Sequence, residues 1–285
     1  MLTWQIGDVK ITRLLEVELP IPYNEKRPFI AAATPEELRR MPWLYPHFVT
    51  AEGALKLSVH ALLVESAGKR IIVDTCFGND KPHALINRQP LQTRFIEEMA
   101  ELGWPRELVD FVVCTHLHVD HVGWNTMKMG EAWVPTFPNA RYLIGRAEYD
   151  HWRAETHPST QKVMGESVAP VFEAGLVDLV ETDHKITDDV RLMPTLGHTP
   201  GHVSVVVESN GDKAIITGDL MHHPCQVTRP EWAPYADTDP DEARRTRRKF
   251  VSDCADEPVL VIGTHFAAPT AGRVRRDGDA FRFQV

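Results

Sequence analysis

The chain has 285 residues, 43% of them hydrophobic and 25% charged. Those proportions exclude disordered and fibrous classes, and the length permits a sizeable core without disulfide or metal staples, in one large domain or two. Thirty-one Lys and Arg against 40 Asp and Glu leave a formal charge of −9, which argues against nucleic acid or an anionic membrane surface as the main partner, while histidine is in excess at 14.

The opening residues MLTWQIGDVK lack the basic and apolar regions of a signal peptide, and no apolar run approaches the roughly 18 residues of a membrane span. Cys76, Cys114, Cys225 and Cys254 are too far apart for a CxxC site, and reduced cysteines fit a cytoplasmic home. Residues 1–55, with Pro20, Pro22, Tyr23, Pro28, Trp43, Tyr45 and Phe48, read as an extended arm preceding the regular strands. Such an arm packs either on a partner subunit, as in a homodimer, or beside the active site.

Short β-branched runs bounded by turn residues predict strands at 59–64, 70–73, 111–114, 203–207, 214–216 and 259–262. Cys114 closes one of them and is expected to be a buried, inert thiol. Asn210-Gly211-Asp212 signals a hairpin. Helical spacing runs from Pro90 to Gly103 (Leu91, Phe95, Met99, Leu102), from Ala147 to Glu155 and from Asp239 to Phe250. In the last of these the basic cluster Arg244-Arg245-Thr246-Arg247-Arg248-Lys249 reads as a solvated face rather than a phosphate-binding one, given the acidic chain around it.

Chemistry concentrates at strand ends. Thr115-His116-Leu117-His118-Val119-Asp120-His121 follows the strand at 111–114 directly and delivers three imidazoles and a carboxylate within six residues. Brief persistence of extended geometry puts His116 and His118 on one side, and the following turn brings round Asp120 and His121. These ligand types suit Zn²⁺ and related divalent ions, and four are more than one ion usually takes from a segment. His198 in Thr195-Leu196-Gly197-His198, Asp219 in Ile216-Thr217-Gly218-Asp219 and His265 in Ile262-Gly263-Thr264-His265 recur at further strand ends. Each alone reads as an ordinary turn residue; together with 116–121 they read as ligands gathered at one edge of a sheet.

This series resembles the metallo-β-lactamase-fold hydrolases: HxHxDH, a Gly-His pair, a strand-end Asp and a final His, in order over residues 57–265. The resemblance implies an α/β fold, a four-layer αββα sandwich with the metal site at the edge of two sheets, formed by one domain over residues 1–285 with an N-terminal extension. It implies that His116, His118 and His198 hold one metal, that Asp120, His121 and His265 hold a second, and that Asp219 bridges them. Asp74 would support the site without binding metal. His-x-His rather than His-x-Glu disfavours the di-iron flavoproteins, and Asp219 rather than Cys disfavours many β-lactamases. The 20 residues after His265 are too few for the helical domain of glyoxalase II. The branch that remains is that of quorum-quenching lactonases and related esterase or phosphotriesterase-like enzymes. Several of those lactonases carry Tyr three residues after the bridging Asp, where this chain has His222.

The expected activity is therefore hydrolysis of a small-molecule lactone or carboxylic ester, with two divalent ions, zinc first among them, generating a bridging hydroxide that attacks the carbonyl. Asp120 would carry the proton to the leaving alkoxide and His222 would stabilise the oxyanion. His202 is expected to support the loop around His198, and His223 carries no assigned role. Trp43, Tyr45, Phe48, Phe77, Trp124 and Met127–Trp133 are candidates for an apolar wall. The competing readings are a phosphotriester or β-lactam hydrolase on the same metals, and a metal-dependent sensor with vestigial catalysis.

Overall fold

In the computed structural model, described for residues 1–83 and 89–285, fifteen strands alternate with short helices. The N-terminal half supplies β1 (Thr3–Ile6), β2 (Val9–Ile21), β3 (Leu55–Ser66), β4 (Lys69–Val73), β5 (Phe111–Cys114), the hairpin strands β6 (Thr126–Met129) and β7 (Ala132–Pro135), β8 (Arg141–Gly145) and β9 (Val177–Val180). The C-terminal half supplies β10 (Val190–Pro194), β11 (Val203–Ser209), β12 (Asp212–Ile216), β13 (Val259–Ile262), β14 (Ala271–Asp277) and β15 (Ala280–Gln284). One sheet runs β1-β2-β3-β4-β5-β8-β9, with its last four strands parallel; the other runs β10 to β15 in order, with only β12 and β13 parallel.

The apolar faces explain the layers. Ile11, Leu62, Val64, Ile71, Val73 and Val113 of the first sheet pack on Val190, Val205, Val207, Ala214, Ile216 and Ile262 of the second. The outer face of the first sheet is covered by Phe95 and Met99 of the helix Phe95–Glu101 and by Val168 and Val171. The outer face of the second is covered by Phe250 and Val251 of the helix Pro240–Cys254 and by Ile30, Leu38, Leu44 and Phe48. Two sheets each buried on both faces need continuous β-branched runs, which is the pattern read in the sequence. Helix, sheet, sheet, helix is the expected αββα order.

All six expected strands are present within β3, β4, β5, β11, β12 and β13, and Asn210 and Gly211 turn the β11–β12 hairpin with φ of 51° and 86°. The helices at 147–155 and 239–250 appear as Arg146–Ala154 and Pro240–Cys254, with Asp239 capping the latter through Asp241 N and Glu242 N. The segment from Pro90 is helical only over Phe95–Glu101, because Leu91 bridges Asn79 instead. Cys114 is buried, its thiol pushed up to about 12 by desolvation.

Two expectations change. The arm is not a prelude to the strands: β1 and β2 occupy residues 3–21 as an edge of the first sheet, and residues 22–54 form part of the outer layer on the second. Ile30, Leu38, Leu44 and Phe48 of the arm are buried inside the chain, while its Leu15 and Tyr45 stay exposed. The basic cluster is not wholly solvated either, since Arg247 is 0% exposed while Arg245, Arg248 and Lys249 face solvent.

The turn after β4 approaches the metal-ligand segment very closely. An added Cβ at Gly123 would stand 1.9 Å from the carbonyl carbon and oxygen of Phe77, where neither backbone can yield. Gly123→Ala is expected to destabilise the fold by about 3 kcal/mol, the upper end of overpacking costs, as measured by denaturant unfolding. A loss under about 0.5 kcal/mol, the range of neutral surface changes, would mean the two turns separate freely.

Candidate metal centre

The potential ligands come from four chain segments. β5 ends at Cys114, and the extended residues that follow present His116 and His118 before the helix Val119–Val122, which carries Asp120 and His121. His198 stands in the turn between β10 and β11, Asp219 on the single turn Gly218–Leu220 after β12, and His265 just after β13. Strands β5, β12 and β13 therefore point their C-terminal ends at one place, and side chains 149 residues apart meet there.

Two groups form. His116, His118, His198 and Asp219 offer one set of donor atoms within 4.8 Å of one another, and Asp120, His121 and His265 a second. In the first, His118 Nδ1 lies 3.0 Å from His116 Nε2 and 2.9 Å from His198 Nε2. In the second, His121 Nε2 lies 3.2 Å from His265 Nε2, with Asp120 carboxylate oxygens 3.8 and 3.6 Å away. Asp219 faces both: Oδ2 is 3.5 and 3.2 Å from His116 and His198, and Oδ1 is 3.3 and 3.1 Å from His121 and His265. All seven expected ligands are thus brought together.

The outer ring nitrogens of His116, His121, His198 and His265 are individually held. His121 Nδ1 is 2.9 Å from Asp74 Oδ2, and Asp74 also accepts from Thr115 N and Oγ1 at 2.8 Å each. Thr115 Oγ1 in turn takes His116 Nδ1 at 3.1 Å. His198 Nδ1 meets Asp237 Oδ1 at 3.0 Å, and His265 Nδ1 donates to the Ser58 carbonyl at 2.9 Å. Each such bond fixes a tautomer whose Nε2 lone pair points inward. Among the described residues, Asp219 Oδ1 is buried without a hydrogen-bond donor. Converging lone pairs and an undonated carboxylate oxygen fit divalent cations and fit little else.

Electrostatics agree. Burial drives His116 and His118 well below the ordinary imidazole value, with neighbouring rings adding to the effect. Burial also opposes charge on His121, His198 and His265, but Asp219 and the carboxylates of Asp74, Asp237 and Asp120 raise all three, His198 to about 9. Burial works upward on Asp219, yet the rings around it hold it well below the usual carboxylate range. Protons do here, in the metal-free chain, what cations would otherwise do.

Asp74 stands where it was expected. His202 supports Asp219 more directly than the His198 loop: its Nε2 accepts from Asp219 N at 2.8 Å, and Nδ1 donates to the Thr195 carbonyl at 3.0 Å. Gly218, at φ 54°, leaves the room this needs, since a Cβ would lie 2.7 Å from His202 Nε2. His223 bonds the Phe48 carbonyl and Cys225 N, a structural role. His222 joins the centre, with Nε2 3.1 Å from Asp219 Oδ2 and Nδ1 buried without a partner among the described residues. Of the proposed wall, Phe48 is in the outer core and Trp124 stacks on Phe95, so neither reaches the ligands. Among the described residues, Trp152 lies 5.2 Å from the His118 ring, and Phe29 stands edge-on to His222 at 5.4 Å with Tyr235 against it at 5.8 Å.

Sequence reasoning also missed three ionisable groups, of which Glu148 and Arg247 are buried and Glu16 half-buried. Glu148 accepts from Leu117 N and Gly201 N, both at 3.0 Å, tying the His118 and His198 loops together. Glu16 is the extra residue of a bulge in β2 and accepts from Phe77 N, Gly78 N and Trp124 Nε1; burial raises it to about 7. Arg247 binds Asp237 Oδ2 at 3.0 Å. Each lies outside any motif, and a lone Glu or Arg carries no signal of burial.

Fold and donor set together define a metal-dependent hydrolase of αββα architecture. The chain belongs to the metallo-beta-lactamase superfamily, whose model matches residues 55–265. It is 26% identical over 171 residues to an N-acyl homoserine lactonase of a Bacillus species, covering 54% of this chain and 60% of that one. It is 23% identical to the N-acyl homoserine lactonase of Bacillus thuringiensis, covering 73% and 82%. Among solved structures, the dizinc quorum-quenching lactonase AidC superposes with a TM-score of 0.81 at 20% identity over 99% of this chain and 95% of that one. AbOPH, a hydrolase in the beta lactamase superfamily, gives 0.80 at 25% identity over 99% and 96%. Among the described residues no helix is long and apolar enough to cross a membrane.

The proton-for-metal exchange has a sign. His198, raised from 6.5 to about 9, gives the metal-free chain stability that is complete below about pH 6.5 and lost as pH rises through about 9. The melting temperature of chelated protein is expected to fall across that window, and the metal-loaded protein to lack this slope because the ion replaces the proton. A flat profile for the chelated protein would show that His198 is not held charged.

Proposed function

We propose that the chain, acting as one domain over residues 1–285, hydrolyses lactones or carboxylic esters at a dinuclear centre held by His116, His118, His198, Asp120, His121, His265 and a bridging Asp219. The observation that carries the reading is Asp219, a buried carboxylate whose two oxygens each face a different group of ring nitrogens. A closed structural site would use four ligands around one ion, whereas this set is larger and shared. Two divalent ions, zinc first among them, would supply Lewis acidity towards the carbonyl and acidify the attacking water.

The chain's own residues do the rest. Asp120 is the more exposed carboxylate of the centre, its side chain 14% exposed against 4% for Asp219, which suits it to take a proton from water and return it to the leaving alkoxide. Burial holds His222 below its ordinary value, so it is neutral with one N–H to offer, which suits donation to a developing oxyanion. Phe29, Tyr235 and Trp152 offer an apolar border to an acyl chain or aryl group, more than to a sugar or nucleotide. The named lactonase relatives support the same substrate class.

Metal content by mass spectrometry, taken with rates on an N-acyl homoserine lactone, an aryl ester and a phosphotriester, tests the reading. About two ions per chain with lactone or ester turnover, lost on chelation and restored by metal, is the expected result. Turnover of the phosphotriester alone would move the assignment to that class. Asp219→Ala is expected to abolish turnover, a loss of at least about 10³-fold, together with one or both ions; full activity with two ions retained would defeat the model. His222→Phe is expected to lower kcat by about 10²-fold, the scale of a lost oxyanion donor, with ion content unchanged. An unchanged kcat on every hydrolysed substrate would remove His222 from the mechanism.

A further inference from the structure

We propose that Asp237 and Arg247 form a charge-neutral positioning pair for His198, and that the ion held with His116, His118 and His198 is in consequence the one the protein releases first. The inference rests on the two-ion reading above.

Arg247 is the member of the basic run that turns wholly inward. Its guanidinium is buried and fully directed, with Nη2 3.0 Å from Asp237 Oδ2, Nη1 3.3 Å from the Leu220 carbonyl and Nε 3.0 Å from the Pro230 carbonyl. Burying such a pair is costly to desolvate and is weak ground for stability alone. What the pair does is mechanical. It joins the helix Pro240–Cys254 to the residue after Asp219 and to Asp237, whose other oxygen holds His198 Nδ1 at 3.0 Å. The same segment grips the His198 turn by backbone, Thr238 N to the His198 carbonyl and Asp239 N to the Gly197 carbonyl, both at 2.9 Å. His198 therefore has neither rotational nor tautomeric freedom.

The second group is supported differently. Asp74 meets His121 directly and His116 only through the Thr115 hydroxyl, and its other partners, Thr115 N and Oγ1, are neutral. Among the described residues, no Lys or Arg pairs with Asp74 or with Asp120. With Asp219 shared and Asp237 neutralised by Arg247, the second group carries two uncompensated carboxylates that the first lacks. At separations of a few ångströms in a buried site, those charges favour a divalent cation in the second group. The outer ring nitrogens support the same order: His116 Nδ1 of the first group meets only the Thr115 hydroxyl, whereas His121 Nδ1 of the second meets the Asp74 carboxylate.

The test is graded chelation of the zinc-loaded protein, counting ions per folded chain by native mass spectrometry. Wild type is expected to lose its ions in two steps. Asp237→Asn/Arg247→Met, which is neutral and nearly conserves volume, is expected to move the first step to roughly 10–100-fold lower chelator and leave the second in place, the usual cost of losing an outer carboxylate. Asp74→Asn gives the converse, moving the later step further than the first, and serves if the double variant does not fold. Release of both ions together in wild type overturns the inference, as does a shift of the later step alone in the double variant. A double variant that melts earlier with both steps unmoved overturns it too, because the pair would then be only structural. Wild type carrying fewer than two ions before chelation overturns the two-ion reading itself, and the inference with it.

Discussion

Everything in this molecule is arranged around a buried carboxylate that cannot exist there alone. Asp219 is 2% exposed, with one oxygen lacking a donor and ring nitrogens on every side. An isolated ionised carboxylate in such a place costs several kcal/mol or more. The cost is offset by positive charge nearby: burial opposes charge on His121, His198 and His265, but the carboxylates hold all three above the ordinary imidazole value in the metal-free chain, and divalent ions would supply that charge in their stead. The centre is therefore a demand for cations before it is anything else, and its supporting structure exists to keep that demand from being met by collapse.

That support comes from the way two sheets end. β5, β12 and β13 are internal strands buried on both faces, so their C-terminal ends are fixed by packing rather than by the loops that follow. The turns leaving them are then pinned by buried acids. Asp74 holds the His116–His121 turn, Glu148 joins that turn to residue 201, and Asp237 holds His198. Each acid is met by backbone amides, hydroxyls, an indole or a guanidinium, so no acid has to find its partner in water. Glycines at 123 and 218 supply close approach where a side chain would push these turns apart.

The parts legible in the sequence are those with a local pattern. Six strands announced themselves because burial on both faces forces unbroken β-branched runs, and four of the seven candidate ligands because His-x-His-x-Asp-His packs donors within one turn; His198, Asp219 and His265 were legible only beside that cluster. What was not legible depends on the partner across the fold. β1 and β2 were read as an arm because their residues at the edge of the sheet alternate less cleanly and carry Pro20 and a bulge at Glu16. Arg247 looks like its solvated neighbours in a basic run; only the helix phase, set by Phe250 and Val251 packing on the second sheet, turns it inward. Phe48 and Trp124 are as aromatic as Phe29 and Trp152, and nothing local tells a core ring from one at the mouth of a site.

The distribution of these parts bears on how such a chain can change. The ligands and most of their immediate supports lie within residues 55–265, the stretch that matches the superfamily. Phe29 comes from before it, carried by the irregular segment that bridges Ile30 to Pro234 and receives Tyr235 N at the Phe29 carbonyl, 3.1 Å away. Ring contacts at the mouth are thus set by a strap anchored through Ile30 and Phe48 in the outer core, on the opposite face of the second sheet from the inter-sheet core that fixes the ligands. A substitution in the strap would alter what borders the centre while leaving the hydrogen bonds that hold the candidate ligands in place. A substitution at Asp74, Asp237 or Glu148 does the reverse. The border of the centre and the support of its candidate ligands are therefore separable in this fold by the physics of its layers, the first resting in part on the half-buried ring of Phe29 held by the strap and the second on buried acids held by strand ends.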